Sequence, residues 1–210
     1  MPTPDRTSLP EIVGAGRELL ELGGLDGLTM QAVAARVGVR APSLYKRVTG
    51  REALIALVAD ATLRDLAAVV QRAADAAGAD PRDRLRALAR AVRAFARDRP
   101  AAFGLVFAPG SELRLAPERL EAAAAPVLAA TAELAGADHA LDAARTFTAW
   151  ANGFIGMELA GAFRLGGDVD RAFEFGVEAL VGAVAGSTVA GSTVAGSAGA
   201  GSAGAGSAGI

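Results

Sequence analysis

Five positive charges, Arg36, Arg40, Lys46, Arg47 and Arg51, fall within residues 29–51, and no Asp or Glu interrupts them. Phosphate is the natural partner for cations gathered on so small a unit, because their fields add over a few ångströms. The whole chain is slightly acidic, with a formal charge of −2, so any attraction to nucleic acid must come from this local patch. The candidate contacts divide by chemistry. Thr29, Tyr45, Lys46, Arg47 and Arg51 suit phosphate: Thr29 and the amides behind it present a helix N-terminus, and Tyr45 offers a hydroxyl. Gln31, Arg40, Ala41, Pro42 and Ser43 lie where base edges come within reach, and Arg40 has the geometry for a bidentate contact to guanine. The alternative is a helical pair whose charges are merely solvated.

The elements that must position these residues are legible around them. Met30, Val33, Ala34 and Val37 recur at i, i+3, i+4 and i+7, one face of a short helix. Thr29 caps its start, and Gly38 stops it by taking left-handed backbone angles. A second short helix over 41–47 follows, with Pro42 in its first turn, where a missing N–H costs nothing. Leu44 and Val48 hold it against the first, and the small Ala34 lets the two cross closely. Before them, Ser8 and Glu11 form a capping box for a helix to about residue 22, whose inner stripe is Ile12, Ala15, Leu19 and Leu22. Gly23 and Gly24 end it. After them, Thr49 and Glu52 offer a further box, with Gly50 as an alternative cap, for a long helix to about residue 77.

The run LTMQAVAARVGVRAPSLYKRVTGREAL resembles the N-terminal domain of the TetR (tetracycline-repressor-like) family. The similarity rests on Leu28-Thr29, Val33-Ala34, Gly38-Val39, Leu44-Tyr45 and Glu52-Ala53-Leu54, and it extends over about residues 12–58. Val48 stands where the family usually has an aromatic residue, and Arg40 where a small polar one is common. The resemblance implies a dimeric, all-helical transcription regulator with a C-terminal domain that usually binds a small molecule. It also implies that Tyr45 touches the DNA backbone. A weaker similarity, over NGFIGMELAGAF, is to the C-terminal domain of one TetR subgroup, which often has His-Gly where this chain has Asn152-Gly153.

The rest of the chain reads as further helices. Residues 76–81 break the pattern. A helix from about 81 to 98 carries Arg82, Arg86, Arg90, Arg93 and Arg97 on one stripe, opposite Leu85, Leu88, Val92, Phe95 and Ala96. That stripe is either a second nucleic-acid surface or anionic-ligand site or, the preferred reading, a solvated face paired with acidic neighbours. A short apolar helix with Phe103, Val106 and Phe107 opens at Arg99-Pro100, and a loop over 108–117 follows. Pro126 is expected to kink or split a helix over 118–134. Asp138 is expected to cap a helix to about residue 163 that is apolar on more than one side, and Asp168 a last helix to about residue 184. The pair suits a bundle dimer interface. Residues 185–209 are Ala/Gly/Ser-rich pentads and read as a flexible tail that buries too little to offset its ordering entropy, with silk-like self-association as the alternative.

Nine of the ten aromatic residues lie beyond residue 90. Phe103, Phe107, Trp150, Asn152 and Phe154 are the candidates for a ligand pocket, with plain core as the competing reading for the rings. Asn152 and Glu158 stand out as polar residues on an apolar helix, fit either to orient a ligand or to bond across an interface. There is no cysteine and one histidine, His139, which speaks against disulfides, a Cys- or His-based metal cage and a nucleophilic triad. No phosphate-binding glycine loop or paired-carboxylate constellation is present. The expectation is an all-α chain: a three-helix DNA-binding domain with a helix-turn-helix over 1–55, a helical-bundle regulatory and dimerisation domain over 56–184, and a disordered tail over 185–210. It is a non-enzymatic, cytoplasmic homodimer without cofactor, metal or membrane span, whose partners are double-stranded DNA and a small-molecule effector. It acts as a ligand-responsive regulator, most simply a repressor. The alternative is a DNA-binding protein controlled by a protein partner or by its own abundance.

Overall fold

The first helix starts where its capping chemistry sits. In the computed structural model, which describes residues 8–107, 113 and 115–197, the Ser8 hydroxyl accepts from the Glu11 N–H and the Glu11 carboxylate accepts from the Ser8 N–H at 2.6 Å. α1 (Leu9–Gly27) is broken at Gly24, where φ is 61° and ψ −162°, so its regular part ends at the expected glycine pair. α2 (Met30–Arg36) and α3 (Ala41–Leu44) form the tight pair, and α4 (Arg51–Ala76) leads away from them. Gly50 caps α4 without a side-chain bond; the alternative cap holds there, and the Thr49–Glu52 box does not form.

Beyond α4 lie α5 (Pro81–Asp98), α6 (Pro100–Phe107), α7 (Pro117–Ala135), α8 (Ala140–Leu159) and α9 (Val169–Ser197). All described regular structure is helical. α7 runs unbroken through Pro126, where a kink or split was expected. Val127, Ala130 and Leu134 on the same helix are buried in the core, and α7 packs on α4, α5 and α8; tertiary burial on three sides outweighs one lost backbone bond. His139 rather than Asp138 precedes α8, with no side-chain cap. Asp168 does start α9, accepting from the N–H groups of Asp170 and Arg171 at 2.9 and 3.0 Å.

The last helix corrects the expected tail. It was read to about residue 184 but continues to Ser197. Val184 is buried and Ala185 packs on the core, and once a helix is nucleated each further residue adds a bond for little entropy, above all alanine. The remainder of the expected tail, like residues 1–7 and most of the expected 108–117 loop, lies outside the described residues.

Two apolar clusters build the molecule. Ile12, Leu20, Leu28, Val33, Leu44, Leu54, Val58 and Leu63 anchor the first. Leu66, Val70, Leu85, Leu88, Phe147, Ile155 and Phe173 anchor the second. α4 is one continuous helix that feeds both, and residue 55, the expected domain boundary, falls inside it.

The arginine stripe of α5 is a partly exposed face, with Arg82, Arg90 and Arg97 open to solvent, and four of its five members are paired with acidic neighbours. Arg86 meets Glu178 through two 2.8 Å bonds, Arg90 meets Glu174 at 2.6 Å, Arg93 meets Glu158 at 2.7 and 2.8 Å, and Arg97 reaches Glu158 and Asp170 at 2.5 and 2.6 Å. Four rungs therefore lace α5 to α8 and α9, the outcome preferred from sequence. The Glu158 carboxylate, weighed above for a ligand or an interface, accepts from Arg93 and Arg97 within the chain.

α8 and α9 approach closely at one point. A Cβ added at Gly176 would lie 2.1 Å from Cζ2 of Trp150, a separation no packed structure tolerates. Trp150 in turn stacks on Phe173 with centroids 5.4 Å apart. Gly176→Ala is therefore expected to force the indole out of its seat and to destabilise the bundle by about 1–3 kcal/mol, the usual range for overpacking. Chemical denaturation reads this as a lower midpoint at unchanged slope; an unchanged midpoint would show that the contact is not tight.

Candidate nucleic-acid interface and apolar cavity

The basic unit is shaped by local bonds before any packing. The Thr29 hydroxyl accepts from the Ala32 N–H at 3.1 Å, so the expected cap forms and one orphan donor of α2 is satisfied. At the other end Gly38 takes φ 73°. The Gly38 N–H donates to the Ala35 carbonyl at 3.3 Å and the Val39 N–H to that of Ala34 at 2.9 Å. This is a Schellman stop, and it turns the chain directly into α3. α3 has Arg40 at its cap and Pro42 in its first turn, and the helical path is prolonged by bonds from the N–H groups of Arg47 and Val48 to the Leu44 carbonyl at 2.8 and 2.9 Å. Leu44 is fully buried and Val48 is 2% exposed, and these two side chains moor the element.

Everything between the moorings points outward. Arg40, Pro42, Ser43, Lys46 and Arg47 are exposed, as is Gln31 on α2, while Ala41 and Thr29 are half-buried. Tyr45 is 54% exposed, unusual for the chain's only tyrosine unless a partner covers it. Among the described residues neither Arg40 nor Lys46 has an ion pair or side-chain hydrogen bond. The geometry gathers nine of the ten candidate contacts along α3 and the N-terminus of α2.

Arg51 is placed differently. Its guanidinium donates from Nε to the Leu28 carbonyl at 2.9 Å and from Nη2 to that of Leu25 at 2.5 Å. Those carbonyls close α1, where helix ends expose unpaired acceptors, so Arg51 fastens α1 to the start of α4 instead of standing free for phosphate. Arg36, part of the same charge run, is likewise occupied by the Glu18 carboxylate of α1. Of the cations in this run, Arg36 and Arg51 are thus engaged by intramolecular acceptors.

A second feature lies in the bundle. A cavity of about 230 Å³ opens between α4, α5, α7 and α8, with Leu63, Leu66, Leu88, Val127, Phe147 and Asn152 among its walls and Phe107 at its α6 side. Of the expected pocket residues, Phe107 and Asn152 line it. Phe103, Trp150 and Phe154 do not. Phe103 is 3% exposed and packs ring to ring with Phe107 at 4.7 Å. Trp150 and Phe154 pack on Phe173, beneath the Arg93 guanidinium. The reason is helical phase: Phe147, Thr148, Ala151 and Asn152 share the cavity face of α8, whereas Trp150, Phe154 and Glu158 share the neighbouring face turned to α5 and α9. Thr148 was passed over because aromatic character was weighed above its i, i+4 partnership with Asn152, and Phe147 was ranked below the other rings as core.

The comparisons with known proteins agree with both halves of this architecture. Residues 5–58 match the model of the bacterial regulatory proteins of the tetR family, and residues 85–180 match the tetracyclin repressor-like C-terminal domain. The chain belongs to the TetR family. It is similar to the uncharacterized HTH-type transcriptional regulator Rv0681 of Mycobacterium tuberculosis strain H37Rv, with 30% identity over 75% of this chain and 73% of that one. It is also similar to the HTH-type transcriptional regulator Rv1816 of that strain, with 34% identity over 57% of this chain. The match spans about half, 52%, of Rv1816. Among solved structures, the regulatory protein SCO4313 superposes with a TM-score of 0.67 at 32% identity, covering 82% of this chain and 94% of that one. In this TetR-family chain the short exposed α3 thus falls within the matched N-terminal segment, and most of the cavity lining falls within the matched C-terminal domain, with Leu63, Leu66 and Val70 added by α4. No helix of the described residues is long and apolar enough to cross a membrane.

Proposed function

We propose that this protein is a ligand-responsive transcription regulator, most simply a repressor, that binds a pseudo-palindromic operator as a homodimer. One observation carries the DNA-binding part: an exposed edge of Arg40, Ser43, Tyr45, Lys46 and Arg47 on a short helix moored by Leu44 and Val48. Placed in the major groove, α3 presents Arg40 and Ser43 to base edges and Tyr45, Lys46 and Arg47 to phosphates. Self-association is supported by the bare faces of α8 and α9, where Met157 is 48% and Phe175 76% exposed beside the small residues Ala172, Ala179 and Gly182. Two-fold symmetry sets the recognition helices about 34–36 Å apart, one turn of DNA.

Ligand response is supported by the wiring between cavity and DNA-binding unit. Phe107, at the cavity, packs against both apolar clusters. At the opposite end of its helix the Glu21 carboxylate of α1 accepts from the N–H groups of Ala101 and Ala102 at 3.0 and 2.8 Å. Asp65 of α4 ties Arg17 of α1 to Arg99, the latter at 2.6 Å. A ligand that displaces Phe107 moves a helix whose other end is held by the DNA-binding unit. By linkage, DNA then weakens ligand affinity by the same factor. The apolar cavity in the bundle favours this reading over control by a protein partner or by abundance.

The test is selection of bound fragments from genomic DNA, followed by anisotropy titration at several salt concentrations. An enriched inverted repeat is expected; binding without sequence preference would sink the operator reading. Lys46→Ala is expected to weaken binding to all DNA and to flatten the log–log salt slope by about 0.9. Tyr45→Phe is expected to weaken binding with the slope kept, since no charge is lost. Arg40→Ala is expected to relax preference at one base pair by about 1–3 kcal/mol. Arg51→Ala, by contrast, lowers thermal stability and leaves the salt slope unaltered.

A further inference from the structure

We propose that the cavity admits a neutral, chiefly hydrocarbon molecule that carries a single hydroxyl or carbonyl group, oriented by Asn152 and Thr148. The inference rests on the ligand-responsive reading above and specifies the chemical class of the effector.

Charge excludes the first alternatives. No Asp, Glu, Lys or Arg lines the cavity among the described residues. The nearest arginine rows are already consumed: Arg86, Arg90, Arg93 and Arg97 are bonded to Glu178, Glu174, Glu158 and Asp170 on the far side of α5. A carboxylate or ammonium entering this space would leave water and find no counter-ion among the described lining residues, which costs far more than the surrounding apolar contacts return.

The polar chemistry that remains is concentrated. Leu63, Leu66, Val70, Leu88, Val92 and Val127 supply hydrocarbon walls from α4, α5 and α7. The polar side chains of the lining, Thr148 and Asn152, come from one helix and lie one turn apart, so they face the same point. Asn152 is half-buried and Thr148 is exposed at the cavity mouth, and neither side chain has a hydrogen-bond partner among the described residues. The Asn152 amide supplies both a donor and an acceptor and the Thr148 hydroxyl can do either, so together they satisfy one hydroxyl or carbonyl, and a second polar group would have nothing to meet.

Size narrows the class further. About 230 Å³ lies below the roughly 300–1,000 Å³ of clefts that hold drug-sized molecules. A bicyclic ring or a medium-length alkyl chain fits; an elaborated polycycle does not.

The experiment is isothermal titration calorimetry on the full chain with four probes: 2-naphthol, 1-decanol, 2-naphthoate and 2-naphthylmethylammonium. Both neutral alcohols are expected to bind, and the two ions at least about 100-fold more weakly. Asn152→Leu keeps the site's size and is expected to weaken 2-naphthol about tenfold through the lost hydrogen bond. Ala151→Leu, which adds a branched side chain to the wall, is expected to abolish binding of both alcohols. Binding of either ion as tight as that of 2-naphthol overturns the proposal, as does failure of both alcohols to bind, or their equal binding to wild type and both variants. Anisotropy on the same preparations separates this from the regulator reading. Protein that binds its operator but neither alcohol refutes the ligand class alone, whereas protein that takes 2-naphthol but no DNA refutes the regulator.

Discussion

Truncating Arg93 to alanine is expected to cost the C-terminal bundle about 3–5 kcal/mol, the range for removing one partner of a buried ion pair. Its side chain is 8% exposed and that of Glu158 13%. The guanidinium donates to both Glu158 oxygens at 2.8 and 2.7 Å, lies 2.8 Å from Asp170, and sits 4.4 Å above the Phe173 ring. Removing it leaves the Glu158 carboxylate with Arg97 alone, on one of its two oxygens, and strips a cation–π contact as well. The double variant Arg93→Met with Glu158→Leu removes both charges and is expected to recover most of the loss, because the pair's desolvation penalty goes with it. A double-mutant cycle in urea measures the coupling; strictly additive effects would show that the two residues do not act as a pair.

The same lattice has a pH signature. The Glu158, Asp170, Glu174 and Glu178 carboxyls are held below their ordinary values, chiefly by hydrogen bonds from Arg93, Arg97, Arg90 and Arg86 respectively. A folded-state pKa below the unfolded one contributes stability that is present above the ordinary carboxylate range and is lost as pH falls through the depressed values. The bundle is therefore expected to lose stability below about pH 4, with a shallower acid transition in Glu158→Gln. The exposed rungs contribute little, since solvent screens them.

Leu44→Ala is expected to abolish DNA binding while leaving the bundle folded, and to cost about 2–5 kcal/mol in the N-terminal unit. α3 spans four residues, too short to persist in water on its own. Its conformation is imposed by Leu44, fully buried, and by Val48, and the backbone donors of Arg47 and Val48 converge on the Leu44 carbonyl. A cavity at position 44 removes the contact that holds Tyr45, Lys46 and Arg47 in a common orientation. Hydrogen exchange is expected to show lost protection over α2 and α3 and retained protection in α5 and α8. DNA affinity within threefold of wild type would mean that α3 is moored by something other than this side chain.

The contrast between these sites shows how far residue patterns reach. The helix-turn-helix was legible because its determinants are local. Thr29, Gly38 and Pro42 act through backbone bonds a few residues away, and the apolar period around Met30, Val33 and Ala34 leaves one arrangement that buries them. The salt lattice was half legible. The arginine period on α5 was plain and pairing with acidic neighbours was the preferred outcome, but Glu158, Glu174 and Glu178 lie 65 or more residues away. Arg51 was read as a phosphate ligand because sequence records a charge and not the carbonyls of Leu25 and Leu28 that claim it.

The cavity marks the boundary most clearly. Phe107 and Asn152 were found, while Trp150 and Phe154 were assigned to a space they do not touch. Composition identifies large rings; only the rotation of α8 about its own axis decides which of them faces a void and which faces α9. By itself, then, the sequence determined the helical class, the caps and turn of the DNA-binding unit, the exposed edge of α3 and the arginine period of α5, all short-range consequences of side-chain type and spacing. The tertiary structure decided which cations are drawn into bonds with α1, which carboxylates close the lattice, where the empty volume lies and how far α9 extends. Those are matters of long-range packing, in which a residue's neighbours are set by the whole fold.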